Sequence, residues 1–136
     1  MPHQIIEYSS NLEDRIDITR LVDILHAAAV GLEVLPLAGV RTRAVRRELY
    51  KIADGHVENT FVHVTLRLAA GRSHEAKASV GEQLFTVLKE HVQPSDDSFP
   101  AALSLEVQEI DPVTRWKGGN IRAHLKRRTA GARGER

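Results

Sequence analysis

The chain has 136 residues, 42% apolar and 27% charged, with a net charge of +1, which is the size and composition of one soluble domain with a modest core. It contains no cysteine, so disulfides, thiolate metal sites and thiol catalysis are excluded. No apolar run approaches the roughly 20 residues that span a bilayer, and the N-terminus lacks the basic region and apolar stretch of a signal peptide, so a cytoplasmic protein is expected.

The opening "MPHQIIEYS" reads as a short strand with a β-branched centre, preceded by a proline that gives up only one ladder bond at a strand start. The period then changes. In "NLEDRIDITRLVDILHAAAVGLE", Ile18, Leu21, Val22, Leu25, Ala28, Ala29 and Leu32 recur at helical spacing, which predicts an amphipathic helix. Gly31 and the following "LPLAG" mark its exit. "VRTRAVRREL" is expected to be extended and basic, and "ADGHVEN" a turn.

"TFVHVTLRLAAG" sets Phe61, His63, Thr65 and Arg67 against Val62, Val64, Leu66 and Leu68, the alternation of a strand with one buried face. "RSHEAKASVGEQLFTVLKEHV" is helical again, with Ala76, Val80, Leu84, Val87 and Leu88 on one stripe and Ser73 as the N-cap. "QPSDDSFP" reads as a loop, "AALSLEVQEI" as the last main strand and "DPVTRWKGGNIRAHL" as a turn-rich extension. The last fifteen residues carry six Lys/Arg against one Glu, a net of +5 that leaves −4 on residues 1–121. A basic end can meet nucleic acid or an acidic surface, but "KRRTAGARGER" has no aromatic residue and no helix or strand pattern, so a solvated, partly disordered tail is expected.

The order is strand, helix, strand, repeated once. Each crossover helix is long enough to join parallel strands. The expected fold is therefore α+β, a two-layer sandwich of two βαβ units whose four-stranded, mostly parallel or mixed sheet carries both helices on one face. The other face needs covering, which points to an oligomer. The domain is expected over residues 2–125, followed by a basic flexible tail over 126–136.

Seven histidines include no H-x-H, no H-E-x-x-H and no Cys/His cluster, so no metal is expected, and His26, His56, His63 and His91 read as structural. Arg41 and Arg43, two apart on a strand, share a face. In "AAGRSHE", Arg72 stands where a strand meets a helix start, a combination suited to a carboxylate. Pro2 has a further meaning if Met1 is removed, because it then becomes a secondary amine, a base that no ordinary side chain supplies.

"MPHQIIEYS", "PLAGVRTR", "ADGHVENTFVHVTLRLAAGRSHE", "LFTVLKEHV" and "ALSLEVQEI" together resemble, in order and spacing, the 5-carboxymethyl-2-hydroxymuconate Δ-isomerase family of the tautomerase superfamily. The likeness runs over about residues 2–125. It implies a tautomerase fold, a homotrimer and no cofactor. It further implies isomerisation of the tricarboxylate 5-carboxymethyl-2-hydroxymuconate to 5-carboxy-2-oxohept-3-enedioate in homoprotocatechuate catabolism. Pro2 would shuttle the proton, Arg41 and Arg72 would take the family's two functional arginine positions, and Arg43 has the right face to assist. Neither membrane nor nucleic acid is an expected partner. The alternatives are a sister tautomerase acting on another 2-hydroxydienoate or enol, and a non-enzymatic binding protein with a basic tail.

Overall fold

The computed structural model describes residues 2–93 and 97–134. Strand β1 (His3–Ser9) leads through a short 3-10 turn (Ser10–Asp14) to helix α1 (Ile18–Val30), and a second such turn (Leu37–Gly39) opens strand β2 (Arg41–Arg47). After a long connection come β3 (Thr60–Ala69), α2 (His74–Val92) and β4 (Ala101–Ile110), then a 3-10 turn (Pro112–Thr114) and a third helix, α3 (Ile121–Gly134). The sheet order is β2-β1-β3-β4. β1 runs parallel to β2, β3 parallel to β4, and β1 antiparallel to β3, so two parallel βαβ units are joined back to back in one mixed sheet.

Burial alternates along the strands as the sequence pattern requires. Gln4, Ile6 and Tyr8 of β1 and Val62, Val64, Leu66 and Leu68 of β3 are buried beneath the helices. They meet Leu21 and Leu25 of α1 and Leu84 and Leu88 of α2 in two adjoining apolar clusters. Both helices start on side-chain caps: the Asp17 carboxylate accepts from the Arg20 N–H at 3.2 Å and the Ser73 hydroxyl from the Ala76 N–H at 3.0 Å, each satisfying a donor that a helix start leaves free. Gly81 lets α2 lie close on β4, since a Cβ there would stand 3.2 Å from Val107 Cγ2.

The open face of the sheet is charged. It carries His3, Ile5 and Glu7 of β1, with Arg41, Arg43 and Val45 beside them on β2 and Arg67, Thr65 and His63 on β3, as the strand register dictates, and Arg47 two residues further along β2. Arg47 Nε lies 2.6 Å from Glu7. His63 sits between the Ser104 hydroxyl (2.6 Å) and Glu106 (2.9 Å), and its hydrogen bond is the main cause holding the Glu106 carboxyl below the usual carboxylate range.

Two readings of the sequence change. The first amphipathic stretch is not one helix from residue 11, because the Asp17 cap begins a new helix after the 3-10 turn. The end of the chain, read as lacking regular structure, is helical from Ile121 to Gly134, and the division at residues 125 and 126 falls inside that helix. Its composition shows no apolar stripe because α3 is largely exposed; it touches the rest of the fold chiefly at the Leu37–Gly39 turn, and helix-favouring Lys, Arg and Ala carry the conformation. Within the loop after α2, residues 94–96 lie outside the described residues.

Leu84 is fully buried between α2 and the sheet, so Leu84→Ala is expected to lower unfolding stability by about 2–5 kcal/mol, as deletion of buried methyl groups does. Urea denaturation checks this, with the midpoint expected to fall and the slope to hold.

Candidate active site

Parallel strands begin at the same edge of a sheet. Here β1 and β2 begin where the antiparallel β3 and its partner β4 end, so Pro2, Arg41, the β3–α2 turn and the segment after β4 are all delivered to one edge. Pro2 is buried at the head of β1. Its carbonyl accepts the Arg41 N–H at 3.1 Å, which fixes the register of β2 against the first residues of the chain.

Arg41 and Arg43 point to the same face, and both reach His3. Arg41 Nη1 lies 3.3 Å from His3 Nε2 and Arg43 Nη1 3.1 Å from Nδ1. A neutral imidazole has one acceptor nitrogen, so in either tautomer only one guanidinium is bonded to the ring. Burial, then the charges of Arg43, Arg41 and Arg67, pushes the His3 pKa down. Protonation of the His3 ring is thus resisted at the edge where Pro2 sits.

Arg72 comes to the same edge by another route. Gly71, at φ +113°, turns the chain from β3 into α2 in a conformation that only glycine adopts freely. The guanidinium that follows donates to Ala69 O at 3.1 Å and Val34 O at 2.7 Å, tying the end of β3 to the α1–β2 connection. The structure therefore places Arg72 as a clamp on two backbone segments beside the site.

Residues that the sequence reading passed over complete this edge. The segment leaving β4 brings Arg115, Trp116 and Lys117 to a cavity of about 290 Å³ that His3, Arg41 and Gly118 also line. An adjoining cavity shares Arg41, Lys117 and Gly118 and adds Arg122 from α3. No carboxylate lines either one. "RWK" was read as part of a turn-rich extension; its signal lay in the topology, since a strand parallel to β3 must release the chain at the edge where β1 starts. The histidines read as structural are in part accounted for by local partners: His26 Nδ1 lies 2.8 Å from the Thr42 hydroxyl, and His91 Nδ1 lies 3.0 Å from Val87 O. Among the described residues no group of three or more metal-binding side chains converges, and no helix is long and apolar enough to cross a membrane.

The family model for 5-carboxymethyl-2-hydroxymuconate isomerase matches residues 2–125. Over 126 residues the chain is 35% identical to the 5-carboxymethyl-2-hydroxymuconate Delta-isomerase of Escherichia coli, which covers 93% of this chain and 100% of that protein. The crystal structure of a 5-carboxymethyl-2-hydroxymuconate isomerase from Deinococcus radiodurans R1 superposes with a TM-score of 0.82 at 35% identity, over 91% of this chain and 93% of the other. A more distant likeness, with a TM-score of 0.59 and 16% identity over 85% of this chain and 93% of the other, is to a fused 4-OT symmetric trimer, and it extends to the fold alone. The family model and the two isomerase relatives agree: the chain belongs to the 5-carboxymethyl-2-hydroxymuconate isomerase family.

Proposed function

We propose that the protein isomerises 5-carboxymethyl-2-hydroxymuconate to 5-carboxy-2-oxohept-3-enedioate, with Pro2 as the base. The observation that carries this reading is the position of Pro2: buried at the head of β1, bonded through its carbonyl to Arg41, at an edge whose cavity is lined by cations and by no carboxylate. The Pro2 amine takes the proton of the 2-hydroxyl, and the electron pair moves through the diene so that a ketone forms at C2 and the remaining double bond lies between C3 and C4. The same proton is then delivered to C5, and no atom is gained or lost. Arginines suit the substrate's carboxylates because they stay charged and bind bidentately, and cations beside the developing dienolate stabilise it.

The reaction needs the free amine. An ordinary α-amino group has a pKa of about 7.7–8.0, and burial with neighbouring guanidinium groups lowers it toward neutrality. While Met1 is attached, the Pro2 nitrogen is an amide whose lone pair is delocalised and has no useful basicity. Arg41 is assigned to a substrate carboxylate. Arg72 acts on the site in part through the two carbonyls it holds, and Arg43 shares the face of Arg41 and the contact with His3.

Self-association follows from the edges of the sheet. β2 and β4 are both outer strands of a single chain and present backbone groups that seek partners, and a protein of the same fold is a symmetric trimer. We assign a homotrimer to this chain.

Three outcomes test the reading. Active protein is expected to lack one methionine by intact mass, and a version with residues fused ahead of Pro2 is expected to fold but to lose nearly all turnover; full activity in the fused protein would remove Pro2 as the base. Arg41→Ala is expected to lower kcat/KM by about 100-fold, the magnitude of a lost charge-stabilising donor, and Arg72→Ala by a similar factor through misplacement of the segments whose carbonyls it holds. Because a cation disfavours the protonated amine, Arg41→Ala should also move the acid limb of the kcat/KM profile to higher pH. Light scattering should give three times the chain mass of 15.1 kDa, and a stable monomer at micromolar concentration would overturn the assembly.

A further inference from the structure

The segment between β4 and α3 lies outside the roles assigned so far, yet it holds an unusual polar group. Arg115 Nη1 is shielded from solvent and has no acceptor among the described residues. A guanidinium nitrogen left in that state is costly, and of the acceptors that remove the cost an anion binds most strongly. Around it stand Arg41 and Lys117, with Arg122 in the adjoining cavity, and neither lining includes an acid that could neutralise them. Asp111, the nearest acid along the segment, accepts the Val113 N–H at 2.9 Å as a turn cap, and Glu109 is 2.7 Å from Lys77.

The substrate class assigned above has three carboxylates, and two of them belong to the muconate chain itself. The third is the carboxymethyl group, the feature that distinguishes it from the dicarboxylate 2-hydroxymuconate. Arg41 serves one carboxylate, and Arg72 is held as a clamp by one donor from each Nη to a backbone carbonyl. Neither Arg72 nor Arg43 lines the cavity next to His3; besides Arg41 its cations are Arg115 and Lys117, which have no other assigned role. We infer that Arg115 and Lys117 bind the carboxymethyl carboxylate, and that they select a tricarboxylate over a dicarboxylate. This inference rests on the proposed isomerase reading for the identity of the substrate, and on the cavity alone for the class of anion.

The experiment uses the full chain without Met1, as wild type and as Arg115→Gln, Lys117→Gln and Arg115→Lys, with Arg20→Gln as a charge-matched control on the exposed face of α1. Two readouts are taken: kcat/KM on 5-carboxymethyl-2-hydroxymuconate and on 2-hydroxymuconate, and calorimetric Kd for propane-1,2,3-tricarboxylate and for glutarate. Loss of a charge-assisted contact predicts that Arg115→Gln and Lys117→Gln lower kcat/KM on the tricarboxylate about 10- to 100-fold, through KM, and weaken propane-1,2,3-tricarboxylate similarly. Values for the dicarboxylates should hold within about twofold, as for changes outside their contacts. Arg115→Lys should recover part of the loss, and Arg20→Gln should leave the ratio unchanged. Equal losses on both substrates, an unchanged ratio in both Gln variants, or a wild type that binds propane-1,2,3-tricarboxylate no tighter than glutarate would overturn the inference. A wild type that turns over neither substrate would refute the isomerase reading, while the calorimetric comparison would still decide the anion site.

Discussion

The hydrogen bond from the Arg41 N–H to the Pro2 carbonyl ties the start of the second strand to the residue that heads the first. Once β1 and β2 are parallel and in this register, their starts coincide, and α1 must cross the sheet to make that possible. The second unit then pairs antiparallel to the first through β1 and β3, which brings the ends of β3 and β4 to the same place. A single edge thus collects an N-terminus, the start of β2, a helix start and a chain exit. The site exists because four chain segments have no other edge at which to meet.

Electrostatics give that edge its character. The helix-covered face of the sheet is apolar apart from groups such as Gln4, whose amide donates to Leu25 O and to the Thr42 hydroxyl, both at 3.1 Å. The opposite face alternates acids and bases along its middle, where Arg47 meets Glu7 and His63 meets Glu106. Toward the Pro2 end this balance fails, and Arg41, Arg43, Arg67, Arg115 and Lys117 gather around His3 and its cavity without a lining carboxylate. Such a surplus of like charge is unfavourable for folding and favourable for attracting an anionic ligand.

Much of the architecture was legible in the sequence. Period-two burial in "TFVHVTLRLA", the helical stripe of α1 and the Ser73 cap all predict what the structure contains, because each is a local consequence of burying one face. The shared face of Arg41 and Arg43 follows from the same alternation. Less legible was whatever depends on contacts distant in sequence. Nothing in "AAGRSHE" reveals that Arg72 would hold the Val34 carbonyl, 38 positions away. Arg115 and Lys117 became visible as site neighbours only once the strand directions were known. Helix α3 escaped because an exposed helix needs no apolar stripe, and the stripe is the signal by which helices are read.

The buried Gln4 has a consequence for how this chain can vary in length. Its side chain is held from two sides, by α1 and by β2, and its neighbours His3 and Ile5 face the opposite way. Adding or deleting one residue between Pro2 and Ile6 would turn the amide out of its slot and drive an imidazole or a charge under the helices. Slippage cannot absorb such a change, so the distance from the chain's start to the core is counted in whole residues. The connection over residues 48–59 is under no such count. The first strand is thereby a ruler, and a single residue is its smallest division.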